Sequence, residues 1–212
     1  MTTLEYIRET LGKDYRGENP VEIFNYGRNK MAHMFKDLDF KVGAEIGVAD
    51  GSFSALMCMA NPGLELFGVD PWEPYPEYTD YQRRSTFNHM FEKTKQRTAE
   101  FDFKQIRKYS MDAVKEFEDE SLDFVYIDGN HEYPFVADDI REWSKKVRPD
   151  GIVAGHDFDE VPRSKLRKNW GVKKAVEEFL SEKGISIWFV LGTHEKVEGV
   201  ETDPARTWMY VK

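Results

Sequence analysis

One stretch constrains this chain more than any other: a short apolar run that ends in glycine and leads directly into a helical pattern. Val42-Gly43-Ala44-Glu45-Ile46 reads as a strand, Gly47-Val48-Ala49-Asp50-Gly51 as a turn of small residues, and Ser52-Phe53-Ser54-Ala55-Leu56-Met57 as the opening of a helix. Gly47 and Gly51 let the backbone approach a ligand closely, and Ser52 is placed to cap the helix. A helix start presents unpaired N–H groups and a positive dipole end, which suits an anionic or polar ligand. About twenty residues further on, Leu66-Phe67-Gly68-Val69-Asp70 reads as a second strand ending in an acid, where a carboxylate can accept hydrogen bonds from ribose hydroxyls.

The rest of the chain continues the alternation of strand and helix. Residues 1–40 read as a polar helical segment broken near Gly17-Glu18-Asn19-Pro20, with Val21, Phe24, Met31, Met34 and Phe35 at roughly helical spacing. The segment fits a packing helix, a roof over a pocket or a dimer contact. Pro71-Trp72-Glu73-Pro74-Tyr75-Pro76-Glu77-Tyr78 is too rich in proline for a helix or a central strand. Trp72 and Tyr75 can cover a bound base, line an acceptor pocket or simply pack. A long polar helix runs from Asp80 to about Phe101, with Phe87, Met90 and Phe91 on one side, so residues 73–101 form a lid-like insertion or a solvated helix.

Phe103-Lys104-Gln105-Ile106-Arg107 is a weak third strand, and Ser110-Met111-Asp112 starts the next helix with Ser110 as N-cap. Leu122 to Asp128 is a clear fourth strand, followed by Gly129-Asn130-His131-Glu132-Tyr133 and a helix whose buried face is Val136, Ile140, Trp143 and Val147. Arg148-Pro149-Asp150-Gly151 reads as a turn, and Ile152 to Gly155 as a fifth strand ending at His156-Asp157-Phe158-Asp159. A basic loop, Arg163 to Lys168, leads through Asn169-Trp170-Gly171 to a helix over 172–182. Strands six (185–191) and seven (207–211) have no helix between them, which predicts an antiparallel pair.

At 212 residues one domain spanning 1–212 is the default. A net charge of −9 argues against a general nucleic-acid or membrane-surface binder. No signal segment or bilayer-length apolar run is seen. The single Cys58 sits in an apolar helical pattern and reads as core. The expectation is a cytoplasmic protein without nucleic-acid or membrane partners, its oligomeric state open and a homo-oligomer among the options.

In an open α/β sheet ligands bind beyond the carboxyl ends of the strands, and the polar signals gather there. Asp128 and Asp157 together suggest a divalent cation such as Mg²⁺. His131 and His156 are candidates for a general base near neutral pH. Each has a bland alternative, an acid capping the next helix or a histidine bonded to backbone.

The spacing Glu45-x-Gly47-x-Ala49-x-Gly51 resembles motif I of class I S-adenosylmethionine (SAM) dependent methyltransferases, E/D-x-G-x-G-x-G, with Ala49 where the family often has Gly. Tyr126-Ile127-Asp128-Gly129-Asn130-His131-Glu132-Tyr133, Asp138-Asp139, Trp143, Pro149-Asp150-Gly151 and His156-Asp157 are similar to the branch that includes macrocin O-methyltransferase-like and cephalosporin-hydroxylase-like proteins. The likeness runs from about 42 to 180. It implies a Rossmann-like doubly wound α/β fold: a seven-stranded sheet, mostly parallel with an antiparallel last strand, and helices on both faces. It further implies SAM across Glu45, Gly47, Ala49 and Gly51 with Asp128 beside it, ribose on Asp70 beside Pro71 and Trp72, adenine near Ser110, Met111 and Asp112, and a cation on Asp128 and Asp157. Some relatives carry a further acid beside the second of these; here His156 and Phe158 flank it. The reaction expected is methyl transfer to a small-molecule hydroxyl, with Asp128, His131 and His156 at the acceptor. An NAD-dependent oxidoreductase is disfavoured by the glycine spacing. A SAM-binding module without catalysis is disfavoured by the acids and histidines at the strand ends.

Overall fold

Alternation along the strands decides the architecture. Successive strand residues point to opposite faces, and here both faces are apolar, so the sheet must be covered twice. Val125 and Ile127 of β5 (Leu122–Ile127), Val153 of β6 (Val147–Gly155) and Val190 of β7 (Trp188–Leu191) enter one core. Their neighbours Phe124, Tyr126, Ile152, Ala154, Phe189 and Leu191 enter the other. The first core is closed by α6 (Tyr133–Lys146), α7 (Val172–Lys183) and the short α5 (Ser110–Ala113). The second is closed by α1 (Thr3–Thr10), α2 (Arg28–Asp37) and α3 (Ser52–Ala60).

The computed structural model describes residues 1–12, 19–75, 83–159, 171–193, 198, 203 and 205–212. The remaining strands are β1 (Val21–Ile23), β2 (Val42–Ile46), β3 (Glu65–Val69), β4 (Phe103–Ile106) and β8 (Thr207–Val211), and α4 spans Arg84–Thr98. The sheet order is β1-β7-β8-β6-β5-β2-β3-β4. Among the described strands only β8 is antiparallel, to both β6 and β7, as expected from the sequence. The chain thus has the doubly wound α/β fold with a reversed last strand. Among the described residues no helix is long and apolar enough to cross a membrane.

Several expectations need correction. Among the described residues the sheet has eight strands rather than seven, because Val21–Ile23, assigned above to a helical pattern, pairs in parallel with β7. Three residues are too few for a period-2 signal to register, and Phe24, counted on the helical face, is 51% exposed. Arg148–Gly151 is not a free turn but an irregularity within β6, where pairing jumps from Leu122↔Val147 to Phe124↔Ile152. Asp150 takes up the extra length at φ +63 and its carboxylate accepts the Thr3 N–H at 3.0 Å. Strand six begins at Trp188, not at 185. Neither serine caps its helix: Gly51 and Tyr109 hold the cap positions without side-chain bonds, and Ser52 and Ser110 are first helical residues. The expectations for Gly17-Glu18, Pro76 to Tyr78, Asp80, Arg163 to Lys168 and Asn169-Trp170 lie outside the described residues. Cys58 is buried, and burial pushes its thiol up to about 12.

Aromatic stacking anchors the second core. Phe124 stacks on Phe35 of α2 with ring centroids 3.9 Å apart. Gly43 makes the room, since a Cβ there would fall 2.2 Å from the Phe124 ring. Phe35 is fully buried, so Phe35→Ala removes a ring from both Phe124 and Phe40 and leaves a cavity. We expect a loss of about 3–5 kcal/mol in urea unfolding. A change under about 1 kcal/mol would show that α2 does not depend on this stack.

Candidate active site

The turns after β2 and β3 are tied together by one carboxylate. Asp70 Oδ2 accepts the N–H groups of Val48 (3.1 Å) and Ala49 (3.0 Å), and Oδ1 accepts that of Trp72 (2.7 Å). Burial pushes the Asp70 carboxyl up, against these three donors, which favour the ionised form. In return, the Ala49 carbonyl accepts the Trp72 indole N–H (2.8 Å) and the Thr94 hydroxyl (3.1 Å). Ala49 and Trp72 are held at positive φ, +51 and +44, an arrangement that persists only where its surroundings over-determine it. Gly47, at φ +89, allows close approach of the chain after β5: a Cβ would lie 2.2 Å from the Asp128 carbonyl oxygen. Gly51, at φ +74, serves helix packing, with Thr94 of α4 2.9 Å from where its Cβ would be.

Beyond these turns lies a cavity of about 440 Å³, within the usual range for small-molecule sites. Of the expected cofactor residues, Gly47, Ala49, Asp70, Pro71, Ser110, Met111 and Asp128 line it. Glu45, Gly51, Trp72 and Asp112 do not. Glu45 is one residue away from Ile46 and therefore points to the opposite face of β2, where it is buried and accepts the Ser54 hydroxyl. Trp72 is fully buried and meets Phe91 edge-on at 5.2 Å, so it packs. Asp112 is exposed and paired with Lys115 at 2.8 Å.

Sequence reasoning missed part of the wall. Tyr75 was left open between pocket and packing, and it lines the cavity together with Phe87, Tyr109, Asn130, Phe135, Asp138 and Asp139. Asp139 stands on the apolar face of α6 beside Val136, Ile140 and Trp143. Asp138-Asp139 stood in the family likeness without a role, and a carboxylate in that register was the further signal.

Asp128 borders a second arrangement, built from the ends of β5, β6 and β8. His131 Nε2 stands 3.5 Å from Asp128 Oδ1 and 3.0 Å from Asp157 Oδ2. Asp128, His131 and Asp157 place one ligand atom each within 4.8 Å of one another. His156 Nδ1 is 3.5 Å from Asp157, and its Nε2 is 3.1 Å from Asp203, a partner not foreseen from the sequence. Burial lowers the His156 pKa, but hydrogen bonds to Asp157 and Asp203 outweigh it and bring the imidazole up to about 9. Burial likewise works against an ionised Asp157, yet His131 and His156 hold that carboxyl far below its ordinary value. Arg28, at the head of α2, reaches Asp128 Oδ2 at 3.4 Å. Asp157 and Asp203 thus favour the protonated form of His156, whereas His131 faces Asp128 and Asp157 together.

An open, mostly parallel sheet with a ligand-sized cavity beyond its glycine turn is the arrangement in which α/β proteins bind small molecules. The chain belongs to the methyltransferase domain family, which matches residues 44–158, more than half of its length. The O-methyltransferase TomG of Streptomyces achromogenes, involved in tomaymycin synthesis and solved with SAM, shares the fold. Its TM-score is 0.58 at 17% identity over 99% of this chain and 87% of that one. An O-methyltransferase of Bacillus cereus solved with S-adenosylhomocysteine (SAH) also shares it, with a TM-score of 0.58 at 10% identity over 99% of this chain and 90% of that one. Among curated proteins, the uncharacterized protein y4gI of Sinorhizobium fredii is 26% identical over 119 residues. That match covers 56% of this chain and only 13% of the relative.

Glu45 gives a pH test of this geometry. Burial pushes its carboxyl from an ordinary 4.5 up to about 8. Between those values the unfolded chain has released a proton that the folded chain keeps, so stability falls as pH rises through the window. Glu45→Gln removes that dependence while leaving an acceptor for Ser54. The variant should gain on the order of 2–4 kcal/mol over wild type at pH 8 and nothing near pH 4. Equal unfolding midpoints at both pH values would contradict a protonated buried Glu45.

Proposed function

We propose that this chain is a SAM-dependent methyltransferase that methylates a small-molecule hydroxyl with the help of a divalent cation. The position of Asp128 carries the reading, because it is shared by the cavity and the Asp–His cluster. A ligand in the cavity therefore ends beside groups able to handle a proton.

In this reading the turn Gly47–Gly51 lies along the SAM chain, and Asp70, already holding that turn, offers its one remaining lone pair, on Oδ1, to the ribose. SAM, when bound, supplies an electrophilic methyl group. The protein's tasks are then to align the acceptor oxygen with that methyl and to remove its proton. Two carboxylates at mutual ligand distance, with water and a substrate oxygen to complete the set, suit Mg²⁺ or Mn²⁺. Asp128 and Asp157 would hold the ion. Such an ion, when bound, lowers the pKa of a nearby hydroxyl. His131, oriented by Asp157, takes the proton. His156, charged between Asp157 and Asp203, positions Asp157 rather than acting as the base. A second reading, favoured by the 4.8 Å grouping, makes His131 a third cation ligand.

The test is transfer of labelled methyl from SAM to a panel of hydroxyl acceptors, with SAH and NAD binding followed by calorimetry. SAH should bind and NAD should not. Chelation should lower the rate and Mg²⁺ or Mn²⁺ restore it. His131→Ala should keep SAH affinity and lose about 10²- to 10⁴-fold in rate. Loss of cation affinity in the same variant would select the ligand role, and indifference to chelators would remove the cation.

A further inference from the structure

We propose that Arg28 competes with the divalent cation for Asp128, and so sets how tightly the Asp–His cluster takes that ion. This inference rests on the cation-assisted reading above and gives a role to a side chain outside it.

Arg28 is the first residue of α2, one hundred positions from the acid it meets. Its guanidinium stands over the Phe53 ring, 5.3 Å from the centroid, and Nη1 lies 3.4 Å from Asp128 Oδ2. Phe53, near the head of α3, is buried and packs at 4.6 Å against Tyr126 of β5. A fixed ring therefore carries the cation at the end of the strand that leads to Asp128. Among the described residues Asp128 is the only hydrogen-bond acceptor this guanidinium has. The two oxygens of Asp128 are thus divided: Oδ2 faces Arg28, and Oδ1 faces His131 Nε2 at 3.5 Å.

A guanidinium keeps its charge throughout the physiological range. An ion bound by Asp128 therefore meets a fixed positive charge at contact distance, and like charges so close repel strongly at the reduced dielectric of a partly buried site. The two cannot share Oδ2 at full strength. Two features decide which one gives way. The Arg28–Asp128 pair is long and its arginine side chain is 38% exposed, the kind of pair that contributes little to stability. The stem can also stay on Phe53 while the head turns to water. In the exchange one ion pair breaks, a carboxylate–cation bond forms, and the guanidinium is hydrated. Arg28 weakens the ion's binding without preventing it.

The experiment is Mn²⁺ binding by electron paramagnetic resonance of the free ion, in wild type, Arg28→Gln and Arg28→Lys. Arg28→Gln keeps a hydrogen-bond donor but loses the charge, and should bind Mn²⁺ about tenfold or more tightly than wild type. Arg28→Lys restores the charge and should return to within about threefold of wild type. Equal or weaker Mn²⁺ binding in Arg28→Gln would overturn the inference, because Arg28 would then only pack or would hold Asp128 in place for the ion. Equal tightening in both variants would also overturn it, since charge would not be the cause. Wild type supplies a second readout: its Arg28 Nε–Hε resonance, identified by its loss in Arg28→Lys, should shift on saturation with Mg²⁺. If Arg28→Gln does not fold, that shift decides, and an unmoved resonance would overturn the inference. Absence of Mn²⁺ binding by both wild type and Arg28→Gln would instead overturn the cation reading, and the inference with it.

Discussion

The Asp70 carboxylate takes three backbone N–H groups from two separate turns, and the rest of the site depends on that junction. Without it, Val48, Ala49 and Trp72 would leave donors unpaired beside a cavity, at a cost comparable to lost hydrogen bonds. With it, Ala49 and Trp72 are held in left-handed conformations that few residues other than glycine adopt. The turn after β2 is thereby fixed against α4, and the edge of the cavity is set before any ligand arrives.

The two-sided sheet then divides labour. One face of β2 carries Ala44 and Ile46 toward α5 and α6, and Ile46 forms part of the cavity. The other face carries Gly43 and Glu45 toward α2 and α3, where Gly43 admits the Phe124 ring and Glu45 meets Ser54. Asp128 and Asp157, at the ends of neighbouring parallel strands, are brought together by the register Ile127↔Gly155. β8 runs back beside β6, and Asp203, just before it, meets His156.

Much of this was legible in the sequence because strand ends announce themselves. Apolar runs closed by Gly47, Asp70, Asp128 and His156 located the carboxyl edge of the sheet, and a helix-free connection located the reversed strand. The rest was not legible for physical reasons. β1 is three residues long and shows no period. Glu45 and Gly51 belong to a recognisable spacing, yet their side of the backbone is decided by strand parity and by how closely α4 approaches. Trp72 sits in a loop whose composition allows covering a base, lining a pocket or packing, and its place in the core beside Phe91 is a tertiary outcome. Asp203 precedes β8 by only a few residues, and its meeting with His156 is a tertiary contact that no local pattern encodes. Asp139 was visible as part of the family likeness, with no role attached, and as an acid in an apolar register.

Asp128 is the junction between the cavity and the Asp–His cluster, and that claim can be measured directly. With SAM carrying an isotopically labelled methyl group and Mn²⁺ bound to the protein, the methyl resonance should be strongly broadened by the ion. The broadening should vanish in Asp157→Ala. A sharp methyl resonance from SAM bound beside bound Mn²⁺ would contradict a shared site and separate the cavity from the cluster.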